Sequence, residues 1–271
     1  MSAPDPRPPV VSRTDWAIAH ARHLEREKDL TRLRDALRAE RRLLPWTVID
    51  KPYVFDSTAG PVSLAALFAG RSQLIIKHFM FGPGWREGCV GCSFETDHLE
   101  AARIHLEHHD VSVVAVSRAP LAELHAFRDR MGWGIPWVSS FASEFNYDFH
   151  VSFTPAQVAA GHAYHNFADR PLLGEEHSGL SAFYRDEDDT VYHTFSAFGR
   201  GAEELLGTYV CLDLAPLGRN ENGPHFNLTD WVRHHDRYDA PGHVDTGGRF
   251  RSADCCDGAP VVAGSDDSFT R

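Results

Sequence analysis

Leu74-Ile75-Ile76-Lys77-His78-Phe79-Met80-Phe81, followed after a short loop by Gly88-Cys89-Val90-Gly91-Cys92-Ser93-Phe94, is the stretch on which the reading of the fold turns. The first run is apolar enough for a strand inside a sheet. The segment from about Val90 to His109 is helix-like, and two cysteines stand at the junction. Residues i and i+3 at a helix start lie on one face with Cβ atoms about 5–6 Å apart, so small adjustments bring two sulfurs to disulfide geometry. Cys89, at or just before the first turn, meets unpaired backbone N–H groups and the positive end of the helix dipole, which favour its thiolate. In a C-x-x-C context a thiol pKa falls from about 8.5 to roughly 3.5–7.5. The pattern predicts thiol-disulfide exchange, with Cys89 attacking and Cys92, one turn deeper, resolving the mixed disulfide. Cys89 is expected to be open to reagents. Glu95 and Asp97 help the helix start electrostatically but oppose a nearby thiolate. His78 and Trp85 are candidates to flank the pair.

Working outward, the 271 residues carry 42% hydrophobic content, ample for a packed core. The net charge of −11 argues against a nucleic-acid partner, because binding the phosphate backbone needs clustered Lys and Arg. No apolar run approaches the roughly 18–20 residues that span a bilayer, and Met1 to Pro9 lacks the charged and apolar blocks of a signal peptide. The cytoplasm is the expected compartment. Five cysteines are too few, and odd in number, for a secreted disulfide framework.

Four segments are expected: a disordered leader over 1–12, a charged helix over 13–45, a main domain over 46–240 and a Gly-, Asp- and Ser-rich mobile tail over 241–271 that holds Cys255-Cys256. Within the main domain, Trp46–Phe55 reads as a strand, and Ser63 is placed to cap a short helix over 64–69. Val111–Val116 reads as a buried strand and Pro120–Met131 as a helix. Ile135–Phe141 and Phe145–Phe153 are weaker strand or loop candidates. A hairpin follows over Leu180–Arg185 and Thr190–Phe195. Strand, helix, strand, helix and then an antiparallel hairpin imply an α/β fold, a mixed sheet with helices on both faces. Cys211, in the apolar run Tyr209-Val210-Cys211-Leu212, is expected to be buried.

Other chemistries compete for the same residues. Cys89, Cys92, His105 and His109 fit the C-x2-C-x12-H-x3-H spacing of a zinc finger. One straight helix nevertheless places His105 roughly 22 Å from Val90, so no metal is assigned. The thiol peroxidase pattern places Pro and Thr seven and three residues before the attacking cysteine, where this chain has Gly82 and Arg86. A non-enzymatic binding module with passive cysteines is the alternative of a different class.

Longer phrases add a resemblance. Lys77-His78-Phe79-Met80-Phe81-Gly82-Pro83 with the cysteine segment, Val116-Ser117-Arg118-Ala119-Pro120, Met131-Gly132-Trp133, Trp137-Val138-Ser139-Ser140 and Arg233-His234-His235-Asp236 are similar to an uncharacterised, largely bacterial thioredoxin-like family, often labelled dithiol-disulfide oxidoreductase. The similarity runs over roughly Thr14 to Tyr238. It implies a thioredoxin-like fold, a thiol or disulfide substrate and no cofactor, with oligomeric state left open. Thioredoxins carry a cis-proline before the hairpin strand, facing the cysteines. The corresponding stretch here is His177-Ser178-Gly179-Leu180, which makes Ser178 and Gly179 candidate substrate contacts and puts binding of extended polypeptide disulfides in question.

Overall fold

Alternation along one strand divides the core into two layers. Leu74, Ile76 and His78 face one side of the sheet, and Ile75, Lys77 and Phe79 face the other, as the two-residue period of an extended chain requires. The computed structural model describes residues 7–253 apart from positions 220, 225 and 226. The expected leader falls partly, and Cys255-Cys256 wholly, outside the described residues.

The N-terminal unit consists of α1 (Arg13–Arg41) and its flanks. Ser12 caps the helix, its side chain accepting from the Asp15 amide at 3.1 Å. Asp15 in the first turn and Arg38 and Arg41 in the last complement the helix dipole. No residue of α1 is buried.

The second unit begins at Thr47. Its elements run β1 (Thr47–Val48), β2 (Val54–Ser57), β3 (Gly60–Ser63), β4 (Gln73–His78), α2 (Val90–Glu107), β5 (Val111–Ser117), α3 (Leu121–Arg130), β6 (Trp137–Ser139), α4 (Phe145–Asp148), α5 (Pro155–Ala160), β7 (His162–His165) and β8 (Ala168–Pro171). They continue with β9 (Gly179–Arg185), β10 (Val191–Phe198), α6 (Gly207–Leu214), β11 (Gly242–Val244) and β12 (Phe250–Ser252). Eight strands form one mixed sheet in the order β1-β10-β9-β4-β5-β6-β2-β3. β4, β5 and β6 are parallel, joined through α2 and α3, while β9 and β10 close the other side antiparallel. This is the thioredoxin-like mixed sheet expected from the sequence.

Helices cover both faces. Leu99 of α2 and Leu124 and Phe127 of α3 pack with Phe79, Trp133 and Trp137 on one. Leu67 and Phe68 of a short 3-10 helix and Phe145 of α4 pack with Phe55 and Ile76 on the other. Leu64, not Ser63, is the N-cap of that short helix and makes no side-chain cap bond, although Ser63 Oγ one residue earlier accepts from the Ala66 amide at 3.2 Å. Among the described residues, no helix is long and apolar enough to cross a membrane.

Several local expectations are corrected. Trp46–Phe55 is not one strand: β1 is an edge strand of the sheet and β2 lies next to the opposite edge, beside β3. Phe145–Phe153 begins with the helical turn α4, because Phe145 and Phe149, four residues apart, stack on each other and on His78. Cys211 is exposed, since α6 turns Tyr209 inward and so carries its second neighbour to the other side.

The tail reading also fails between 242 and 252, where β11 and β12 pair as a hairpin. Gly- and Asp-rich composition here builds a turn. Asp245 accepts from the Gly247 and Arg249 amides at 3.0 and 2.9 Å, and Val244 and Phe250 supply the apolar anchors, packed with Val90.

Candidate functional site

Cys89 stands at the N-cap of α2 with extended backbone angles, and Val90 begins the helix. Its amide donates to the Met80 carbonyl at 3.1 Å, and the Met80 amide donates to Cys92 Sγ at 3.4 Å, so one residue after β4 holds both cysteines against the sheet end. Ser93 and Thr96 donate back to the Cys89 and Cys92 carbonyls at 2.9 and 2.8 Å. The two thiols are hydrogen-bonded to each other. That bond, reinforced by the Cys92 and Gly91 amides and by the Lys77 charge, outweighs burial and lowers the Cys89 pKa below the ordinary thiol range. Cys92 moves the opposite way. Burial first, then its bond to Cys89 and the Cys89 charge, hold its pKa well above that range, with Lys77 opposing.

Lys77 is the group that sequence reasoning missed. It lies at the C-terminal end of β4, fully buried, paired with Glu95 of α2 and 3.4 Å from Ser178 Oγ. Burial alone strips a proton from an ammonium. Negative charge on the cysteine pair and the paired Glu95 carboxylate outweigh that cost and hold the Lys77 pKa above its usual value. Glu95 is therefore paired with a cation beneath the cysteines, and it still acts against ionisation of Cys92, as expected. Asp97 is also engaged, accepting from Trp133 Nε1 and facing His235 Nδ1, both at 2.7 Å. A lysine inside an otherwise apolar strand was a legible signal, since a buried cation demands an anion.

His234 was legible only as part of a matched phrase. It is fully buried, and its Nδ1 lies 3.0 Å from Arg130 Nη2, which can only donate. The ring is thus neutral with its proton on Nε2, which donates to the Gly88 carbonyl at 2.9 Å and fixes the residue before Cys89. Burial, foremost, keeps its pKa below the usual imidazole value.

The remaining sequence candidates separate. His78 is not at the cysteines, because it follows Lys77 and must point to the opposite face. There its Nε2 meets Ser181 Oγ at 2.7 Å, in a chain through Ser196 to His193. Burial, then Lys77 and His193, lower its pKa to about 3. Between pH of about 6.5, the ordinary imidazole value, and about 3, the unfolded chain holds a proton at this position that the native state lacks. Stability therefore falls on acidification through that window and levels off below it. In urea titrations over this range, His78→Gln is expected to show a shallower pH slope than the wild type. An equal slope in the two proteins refutes the assignment.

Trp85 borders a cleft of about 200 Å³ with Met80, Leu173, Glu175, Glu176, Gly247 and Arg249. Ser178 approaches Lys77. Gly179 pairs with His78 and Phe198 across β9, and a Cβ there would lie 2.6 Å from the Phe198 ring, so packing explains the glycine. His105 lies in the last turn of α2 and His109 beyond it, at the far end from Cys89, so the four zinc-finger residues do not converge. Among the described residues no group of three or more His, Cys, Asp or Glu is arranged to hold a metal ion.

Exposure is the largest correction. Cys89 is 7% exposed and Cys92 1%. The cover is the β11–β12 turn: Gly248 accepts from the Val90 amide at 2.8 Å and sits so close that a Cβ on it would lie 2.9 Å from Cys89 Sγ. A segment read as tail thus closes over the expected nucleophile.

A family model described as "Bacterial protein of unknown function (DUF899)" matches residues 5–238. No curated protein matches the chain. Among solved structures, a cysteine-to-serine variant of peroxiredoxin Q from Xanthomonas campestris is 14% identical, with a TM-score of 0.40 over 61% of this chain and 91% of that one. Peroxidoxin BcpB from Mycobacterium tuberculosis is 15% identical, with a TM-score of 0.39 over 60% of this chain and 94% of that one.

Proposed function

The chain belongs to the bacterial family of unknown function DUF899, and from the chemistry of its paired thiols we propose that it is a cytoplasmic thiol-disulfide oxidoreductase, with Cys89 as nucleophile and Cys92 as resolving thiol. The observation that carries this reading is the placement of two free thiols one turn apart at the start of α2, both bonded to Met80 and lying above the buried Lys77, with Cys89 displaced toward thiolate and Cys92 toward thiol. An exchange reaction needs that asymmetry, because the attacking sulfur must be ionised while its partner stays protonated until the second step.

The same interactions set the order of events. Once Cys89 is bound in a mixed disulfide, the Cys89 charge and the thiol-thiolate hydrogen bond that hold the Cys92 proton are gone. Burial and Glu95 are then left against Lys77, and Cys92 ionises more readily than before. Its thiolate attacks Cys89 Sγ, releases the second half of the substrate and leaves a Cys89–Cys92 disulfide.

Mass spectrometry after mild oxidation is expected to find that intramolecular disulfide. Cys92→Ser is expected to stop at a covalent adduct on Cys89 instead. If the oxidised wild type retains two free thiols at these positions while adducts form elsewhere, the reading is wrong.

A further inference from the structure

The turn over Cys89 is tied together by its own bonds. Gly248, at φ +75°, donates to the Asp245 carbonyl at 2.9 Å, and the Asp245 amide donates to the Arg249 carbonyl at 2.9 Å. The Asp245 carboxylate takes two turn amides and pairs with Arg249 and Arg251 at 3.2 and 2.9 Å. Phe250 and Val244 pack with Val90, and the Arg249 guanidinium lies 4.9 Å from the Trp85 ring centre. Main chain therefore already occupies the space beside Cys89 Sγ and uses the first amide of α2. An extended polypeptide laid across the nucleophile would need that same space.

The cleft bordered by Trp85 is lined by two residues that neighbour the cysteine site, Met80 and Gly247. Met80 bonds both cysteines, and Gly247 adjoins Gly248. Its volume of about 200 Å³ suits a molecule of a few heavy atoms on each side of a disulfide and is too small for a folded chain.

We propose that the Cys89–Cys92 pair acts on small-molecule disulfides that enter along the Trp85–Met80 cleft, and that the 242–252 hairpin excludes polypeptide disulfides. The proposal rests on the oxidoreductase reading above. In the reaction, Cys89 thiolate attacks one sulfur of RSSR, the S–S bond breaks and RS⁻ departs to take a proton from water. Cys92 then attacks Cys89 Sγ, the bond from Cys89 to the bound sulfur breaks, and the second RS⁻ takes the proton that Cys92 gives up as it leaves. The substrate gains two electrons, the cysteine pair loses two, and a small dithiol restores the reduced protein.

Single-turnover oxidation of the full-length reduced chain separates the possibilities. Formation of the Cys89–Cys92 disulfide is followed by mass after mixing with 2-hydroxyethyl disulfide or with insulin. With the hairpin seated over Cys89, insulin is expected to oxidise the pair at least tenfold more slowly than 2-hydroxyethyl disulfide does. Asp245→Ala, which removes the side-chain bonds of the turn, and Phe250→Ser, which removes its apolar anchor against Val90, are both expected to speed oxidation by insulin at least tenfold. Equal rates with the two disulfides in the wild type, or no gain toward insulin in either variant, overturn the proposal. Failure of both disulfides to oxidise the pair in every protein instead overturns the oxidoreductase reading.

Discussion

Lys77→Met is expected to lower the unfolding free energy of the reduced protein by about 3–5 kcal/mol, the usual cost of removing one partner from a buried ion pair. Lys77 is fully buried and Glu95 nearly so. A methionine fills much of the lysine volume, so the loss is electrostatic: the Glu95 carboxylate stays in the interior with no cation. Lys77→Met combined with Glu95→Gln removes both charges and is expected to recover most of the stability, because a pair replaced together leaves no uncompensated ion. Urea denaturation of the three proteins checks this. A single variant within about 1 kcal/mol of wild type contradicts the buried pairing. The lysine also acts on the thiols, lowering the pKa of both. In the charge-free double variant, Cys89 alkylation should therefore need a higher pH than in the wild type.

Cys89→Ser is expected to abolish disulfide reduction, by at least about 10³-fold, since a neutral hydroxyl replaces the attacking sulfur. The fold should tolerate it. Serine is a good N-cap residue, and its oxygen can accept the Gly91 and Cys92 amides that now favour the thiolate. Loss of activity with an unchanged denaturation midpoint separates chemistry from packing. For the wild type, the rate of Cys89 modification should rise with pH around a midpoint below that of an ordinary thiol, because deprotonation makes the reactive form. Turnover that persists in Cys89→Ser removes this residue from the mechanism.

Much of this was legible in the chain. The apolar run ending at Phe81, the cysteine spacing and the Val111–Val116 strand are periodic signals within short windows, and they placed the sheet centre and α2 correctly. The hairpin at 180–198 was legible for the same reason, with an acidic turn between two apolar runs. What escaped was long-range. Lys77 and Glu95 are 18 residues apart and meet only because a strand and the next helix pack face to face. His234 reaches Gly88 across 146 positions. The cover at 242–252 was hidden by composition: Gly247-Gly248 and Asp245 look like a solvated tail until Val244 and Phe250 are seen to flank them as strand anchors.

The bond from the Val90 amide to the Gly248 carbonyl makes one proton a sentinel for the whole covering hairpin. Deuterium uptake at that amide proceeds only when Gly248 departs, so its exchange rate measures how often the sulfur beneath meets solvent, in the resting protein and without any chemistry at the thiol.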